Sequence, residues 1–279
     1  LPRIARSIII PDDANMTLSI IETKYVDIPI QNIEPSKGNL TRNINPDSVP
    51  YNYGDVYKED AFYPSEISFM RDPYIMRSVR GQTIVIQPIQ LNPVKGMMRV
   101  YTEIELRVQR DGISTINVLN KRPANGSIRE FQNIYKEHFL NYSLNERYET
   151  LGEHGAMLVI SHGSFLEEMQ PFVEWKNYKG IPTTIVDVST IGDVDQMEQY
   201  IEEKYYEDGI AYVLLIGDIA QIDAIRRNDG AGSNSPSDNT LTFVAGNDAY
   251  PDLIIGRFNY DQLLISSIHE IKSLSLIHI

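Results

Sequence analysis

Three carboxylates in the last quarter of the sequence, Asp218, Asp248 and Asp252, are the side chains best placed by type and spacing to do chemistry. Asp218 ends the run YVLLIGD; Asp248 and Asp252 lie in AGNDAYPDLIIGRF, after a polar loop that passes Ser237 and Asp238. Two apolar runs, each read as stopping at a cluster of Asp, Asn and Gly, are expected to be neighbouring strands of a buried parallel sheet whose carboxyl ends meet at one edge. That would gather the three carboxylates in one small region, where like charges repel unless a cation sits among them. Loop carboxylates interleaved with backbone carbonyls hold hard cations such as calcium. Asp and Asn at strand ends are equally the ordinary residues of turns and caps, and both readings stand on spacing alone.

Other constellations are weaker. Ser161-His162-Gly163-Ser164 puts a histidine after an apolar strand, where α/β enzymes keep their chemistry. Adjacency in sequence does not bring a serine hydroxyl to an imidazole, so a capping or loop role is favoured for His162 and Ser164. His138, His154, His269 and His278 share no metal-ligand spacing, and neither a G-x-G-x-x-G nor a Walker loop follows a strand. With no cysteine in 279 residues, disulfides, thiolate metal sites and a thiol nucleophile are excluded within them.

The elements that must position these residues fall in two halves. Residues 1–112 read as a β domain, because Pro11, Pro29, Pro35, Pro46, Pro50 and Pro64 break any long helix and β-branched runs lie between them. Gln82–Gln90 and Met98–Arg110 flank the turn Asn92–Gly96 and are expected to pair as a hairpin. In its second arm Val100, Thr102, Ile104, Leu106 and Val108 alternate with polar residues, leaving one wet face. Such strands predict an antiparallel β-sandwich. Tyr51, Tyr53, Tyr57, Phe62 and Tyr63, in the irregular stretch from Glu34, are expected to pack onto the sheet rather than present a partner surface.

Residues 113–154 form a polar connection with one helix, opened by a capping box at Ser127 and Glu130 and followed by an exposed linker from Asn141. From 155 to 279 strand and helix alternate. Strands are expected at Ala156–Ser161, Pro182–Val188, Tyr212–Ile216 and Leu253–Ile255, and helices at Phe165–Tyr178, Val194–Tyr206 and Leu263–Leu274. This rhythm predicts a parallel sheet with right-handed crossovers.

The net charge of −13 and the lack of a basic block argue against nucleic acid, and no apolar run is long enough to span a bilayer. The chain starts at Leu1 and stops at Ile279 inside an apolar segment, so both ends read as cut, which leaves room for a lost leader.

Several stretches resemble gingipain-type cysteine peptidases of family C25. FVEWKNYKGIPTTIVDV, YVLLIGD, the Ser237-Asp238 pair and GNDAYPDLIIGRF are similar to the first part of the catalytic domain. SIIIPDDA, EPSKGNL, VPYNYGDVYKEDAFYP, PYIMRSVRGQTIVIQPIQLNP and RVYTEIELRV are similar to the propeptide. The resemblance implies a secreted or cell-surface endopeptidase precursor: an antiparallel β-sandwich prodomain docked as inhibitor and folding aid on a partial caspase-like α/β domain. It implies that the His/Cys dyad and the acidic residue of the specificity pocket lie beyond Ile279, leaving this stretch inactive with protein or peptide substrates reserved for the full-length enzyme. It also implies structural calcium held by Asp218, the carbonyls of Ala245 and Tyr250, Asp248 and Asp252, the last shorter than the glutamate of better-known members. Arg147-Tyr148 falls where family precursors are cut, although arginine is common in linkers. Two other classes compete: a non-catalytic surface-binding module with a degenerate peptidase-like domain, and a calcium-free sugar or nucleotide binder on a doubly wound sheet.

Overall fold

The computed structural model describes residues 1–31, 33–125, 128–142, 153–226 and 235–258. Its strands in the first 113 residues are β1 (Ile4–Ile10), β2 (Ala14–Pro29), β3 (Ser68–Met70), β4 (Tyr74–Met76), β5 (Val79–Ile86), β6 (Ile89–Asn92) and β7 (Met97–Ile113). They are followed by α1 (Arg129–His138), β8 (Ala156–Ser161), α2 (Leu166–Tyr178), β9 (Thr183–Asp187), α3 (Val188–Ile191), α4 (Val194–Glu207), β10 (Ile210–Ile216) and β11 (Ile254–Phe258). The chain forms two compact units. One comprises Leu1–Ser7, Ala14–Asp72 and Gln82–Ile113; the other comprises Ile8–Asp13, Pro73–Gly81 and Ser114–Ile279.

In the first unit, β7 pairs antiparallel with β2 along almost its whole length, from Ala14 opposite Ile113 to Pro29 opposite Met97. Three register irregularities interrupt this ladder, as expected where a long ribbon must take up extra twist. The expected hairpin is much shorter than the sequence suggests. Only Ile89–Asn92 pairs with β7, while β5 joins a different sheet in the order β1-β5-β3 with β4 beside β5. Pro88 is the physical cause, since it carries no amide to continue a ladder. Gln87 donates its amide to the Ile67 carbonyl (2.7 Å), and the Pro88 carbonyl accepts from Tyr101 (2.9 Å). On β7, Ile104, Leu106 and Val108 are half-buried and alternate with exposed residues.

The loop aromatics only partly follow expectation. Tyr51, Tyr53 and Tyr63 stay exposed, with Tyr53 edge-on to Tyr57 at 5.0 Å and Phe62 under the Arg99 guanidinium at 4.1 Å. Short 3-10 turns with no buried residue carry this segment, so the rings pack on one another and on an arginine.

The second unit is built on a parallel sheet in the order β11-β10-β8-β9. Met157 and Val159 of β8 face a core shared with Phe131, Met169 and Phe172, whereas Leu158 and Ile160 face a core with Met197, Ile201 and Tyr205. The sheet is thus covered on both faces, which explains why its strands read as continuous apolar runs. Asp193 and Gln196 start α4 with a reciprocal capping box.

The helix start expected from Ser127 and Glu130 differs. Ser127 lies outside the described residues, Ile128 is the cap without a side-chain bond, and Glu130 instead reaches His154 Nδ1 (2.7 Å) and the Gly155 amide (3.3 Å). Burial alone would raise the Glu130 pKa, but these hydrogen bonds outweigh it and hold the carboxyl low. The expected helix over Leu263–Leu274 also lies outside the described residues.

Candidate functional site

The two neighbouring strands are where the sequence puts them, but the carboxylates are not together. β10 and β11 pair in parallel, Tyr212 opposite Ile254 and Ile216 opposite Phe258. Asp218 therefore leaves the carboxyl end of the sheet, just past the bond from the Gly217 amide to the Phe258 carbonyl (3.1 Å). Asp252 precedes β11, at the amino end, where its carbonyl and that of Ile210 take the same guanidinium nitrogen of Arg77. The seven residues of β10 separate the two ends by about 20 Å at the usual strand rise. The gathering expected from the sequence is corrected by strand direction: the acidic cluster stands before the second apolar run, and parallel neighbours bring starts to starts.

At the carboxyl end Asp218 serves a turn. Its Oδ1 accepts the Ala220 amide (2.8 Å) while its own amide donates to Gln221 Oε1 (3.0 Å). Beside it Arg257 makes a two-pronged pair with Asp238 (2.7 Å for each prong) and donates to the carbonyls of Gly217, Asp218 and Ile222. This guanidinium ties the end of β10 to the loop after it. His162 caps the turn after β8: its Nδ1 lies 2.8 Å from Ser164 Oγ and accepts the Ser164 amide at 3.4 Å. A cavity of about 640 Å³ opens along this edge, bordered by His162, Asp193, Met197, Gln221 and Arg226. It lies at the switch point, because β9 and β10 flank β8 on opposite sides, and such crevices are where open α/β sheets bind ligands.

At the amino end Asp248 and Asp252 organise a loop around Pro73–Gly81. Asp248 accepts the Ile75 amide on Oδ2 and the Tyr250 amide on Oδ1, both at 2.9 Å. Asp252 has no exposure to solvent and accepts three amides, from Arg77 (2.6 Å), Val244 (3.0 Å) and Ala245 (2.7 Å). Burial raises the pKa of both carboxyls against these bonds, that of Asp252 to about 7. The Tyr250 ring stacks on Tyr74 at 3.6 Å and 9°. Asn117 closes the cradle, accepting from the Asn247 amide (2.7 Å) and donating to the Pro73 carbonyl (2.9 Å).

These residues do not fit a calcium cage as they are arranged. Asp218 is at the other end of the sheet, and every side-chain oxygen of Asp248 and Asp252 already faces a backbone amide. Among the described residues no group of three or more His, Cys, Asp or Glu side chains is placed to hold a metal. Arg147 and Tyr148 lie outside the described residues.

Sequence reasoning missed Arg77 and Arg257. Arg257 sits in an apolar strand, which was a usable signal, since a charge there must be paired. Arg77 follows a short strand in an ordinary run, MRSVRG, and nothing local distinguishes it from a surface turn residue.

The Propeptide_C25 family model matches residues 1–139 and the Peptidase family C25 model residues 150–264. Gingipain R2 of Porphyromonas gingivalis is 35% identical over 269 residues, covering 93% of this chain and 35% of that protein. Lys-gingipain HG66 of the same organism is 24% identical over 238 residues, covering 82% of this chain and 14% of that protein. A solved complex of Porphyromonas gingivalis RgpB pro- and mature domains is 36% identical, covering 51% of this chain and 72% of that one, with a TM-score of 0.43. The chain thus spans about a third of the length of gingipain R2. With a C25 propeptide running directly into the start of a C25 peptidase domain, the chain belongs to the gingipain-like cysteine peptidases of family C25.

Proposed function

We propose that this chain is the leading portion of a cysteine endopeptidase precursor, whose prodomain inhibits and helps to fold the peptidase domain. The observation that carries this reading is the order of the two family matches on one chain, propeptide then peptidase. Cysteine is absent from all 279 residues, so the thiol nucleophile does not lie among them; this reading puts it and its histidine downstream of the matched region, as the resemblance to the family implies. There the thiolate attacks the scissile carbonyl and the histidine carries the proton to the leaving amine. The part described here supplies the parallel sheet and the carboxyl-edge crevice that support that chemistry.

Export to the cell surface or medium, cutting at Arg147-Tyr148, and protein or peptide substrates belong to the same reading. No described helix is long and apolar enough to cross a membrane. The calcium ligand set implied by resemblance does not fit the arrangement described, and this reading does not rest on it.

The test is to express the chain with its natural downstream sequence and assay peptides bearing Arg, Lys or an apolar residue before the scissile bond. Thiol-dependent cleavage, lost on alkylation, is the expected result. Absence of both a downstream cysteine and any cleavage overturns the proposal. Sequencing the amino terminus of the matured protein checks the cut, and a start other than Tyr148 removes it.

A further inference from the structure

The boundary between the two family matches is not the boundary of the folded unit. Propeptide-matched residues 8–13, 73–81 and 114–139 belong to the same compact unit as the peptidase-matched sheet. The β4–β5 turn is buried within it. Tyr74, Ile75, Met76 and Arg77 are all buried, and Arg77 has no solvent exposure. Tyr74 and Met76 join the core on one face of the sheet while Ile75 joins the other.

The Arg77 guanidinium is held by neutral carbonyls. Nη1 donates to Ile210 (2.9 Å) and Asp252 (3.3 Å), and Nη2 donates to Gly209 (2.9 Å) and Asn125 (3.2 Å). The rings of Phe131 and Tyr205 lie 5.2 and 5.3 Å from it. Nε has no partner. Its backbone is gripped as well: the amide donates to Asp252 and the carbonyl accepts the Tyr205 hydroxyl at 3.0 Å. Arg77 adopts φ of 50°, a left-handed conformation unusual for a residue with a Cβ. A non-glycine residue held there, with a charge fully removed from water, persists only where the surroundings over-determine it. Three of the four side-chain acceptors, both backbone partners and one ring come from peptidase-matched residues.

We infer that Arg77 is the anchor by which the propeptide stays bound to the peptidase domain after the connecting chain is cut, its socket being Gly209, Ile210, Asp252 and Tyr205. The inference rests on the precursor reading above. Every contact between Arg77 and its peptidase-matched partners is a hydrogen bond or ring contact, and none of them involves residues 143–150.

The test places a recognition site for a specific processing protease within residues 143–150 of the whole chain, cuts it, and follows the two pieces by size exclusion and native mass spectrometry. The wild-type pieces are expected to co-elute. Arg77→Met, which keeps the bulk and removes the fork, is expected to release them at least about 100-fold faster, the loss of several charge-assisted bonds. Should Arg77→Met fail to fold, Tyr205→Phe decides: it removes one hydroxyl bond and should speed release about fivefold. Arg99→Met, at a pair with Asp27 in the first unit, should leave release unchanged. Wild-type pieces that separate at once, or Tyr205→Phe pieces released at the wild-type rate, overturn the inference. Catalysis is not involved, so an inactive protein can pass this test and an active one fail it.

Discussion

The carboxylate of Asp252 accepts the backbone amide of Arg77 at 2.6 Å, joining a residue just before β11 to one 175 positions earlier in the chain. Charge is not exchanged directly, since the guanidinium turns to carbonyls while the carboxylate collects amides. The pair fixes the tip of one turn against the amino end of a parallel strand.

Stability should depend on the ionisation of Asp252. Its folded pKa, about 7, lies above the ordinary 3.8 because of burial. The folded state therefore keeps a proton that the unfolded chain gives up between those values. The stabilising contribution is complete below about pH 4 and is lost as pH rises through about 7, at up to about 1.4 kcal/mol per unit. Urea unfolding across this range should show that slope, and Asp252→Asn should flatten it. An unchanged slope in the variant would assign the dependence elsewhere.

His138 should act in the opposite sense. Its imidazole meets the Tyr74 hydroxyl at 2.6 Å and burial lowers its pKa. Below its ordinary value of 6.5 the unfolded chain takes up a proton that the folded chain resists, so stability falls as pH falls through that value. NMR titration of the His138 ring should give a midpoint below 6.5.

At the carboxyl edge, Asp238→Ala should cost about 3–5 kcal/mol, because it strands the nearly buried Arg257 guanidinium. Arg257→Lys should also destabilise, since an ammonium cannot reproduce the two-pronged pair and the carbonyl contacts. Chemical denaturation measures both.

Gly81→Ala should destabilise by about 1–3 kcal/mol through overpacking. An added Cβ would stand 2.7 Å from both Phe139 and Tyr74 ring atoms. Reduced melting temperature with an unchanged far-UV spectrum is the expected signature.

Calcium should leave the melting temperature of this chain where chelator leaves it. A ligand held only by the native state raises that temperature, and the candidate carboxylates are already engaged by amides. A reproducible rise with calcium would mean that these oxygens rearrange.

The sequence by itself determined the strand-helix rhythm from Ala156 to Phe258, because apolar runs of five to seven residues and amphipathic helices are set by local periodicity. It also determined family membership, carried by long motifs in both halves. Which carboxylates meet was decided only by the tertiary structure. Asp218 and Asp252 look alike as loop acids beside strands, and only the parallel register of β10 and β11 sends them to opposite ends. The same holds for Arg77, whose burial comes from carbonyls, rings and a carboxylate brought from positions 125 to 252. No local pattern encodes an environment assembled from such distances, so an arginine in a short turn discloses its role only once the chain has folded around it.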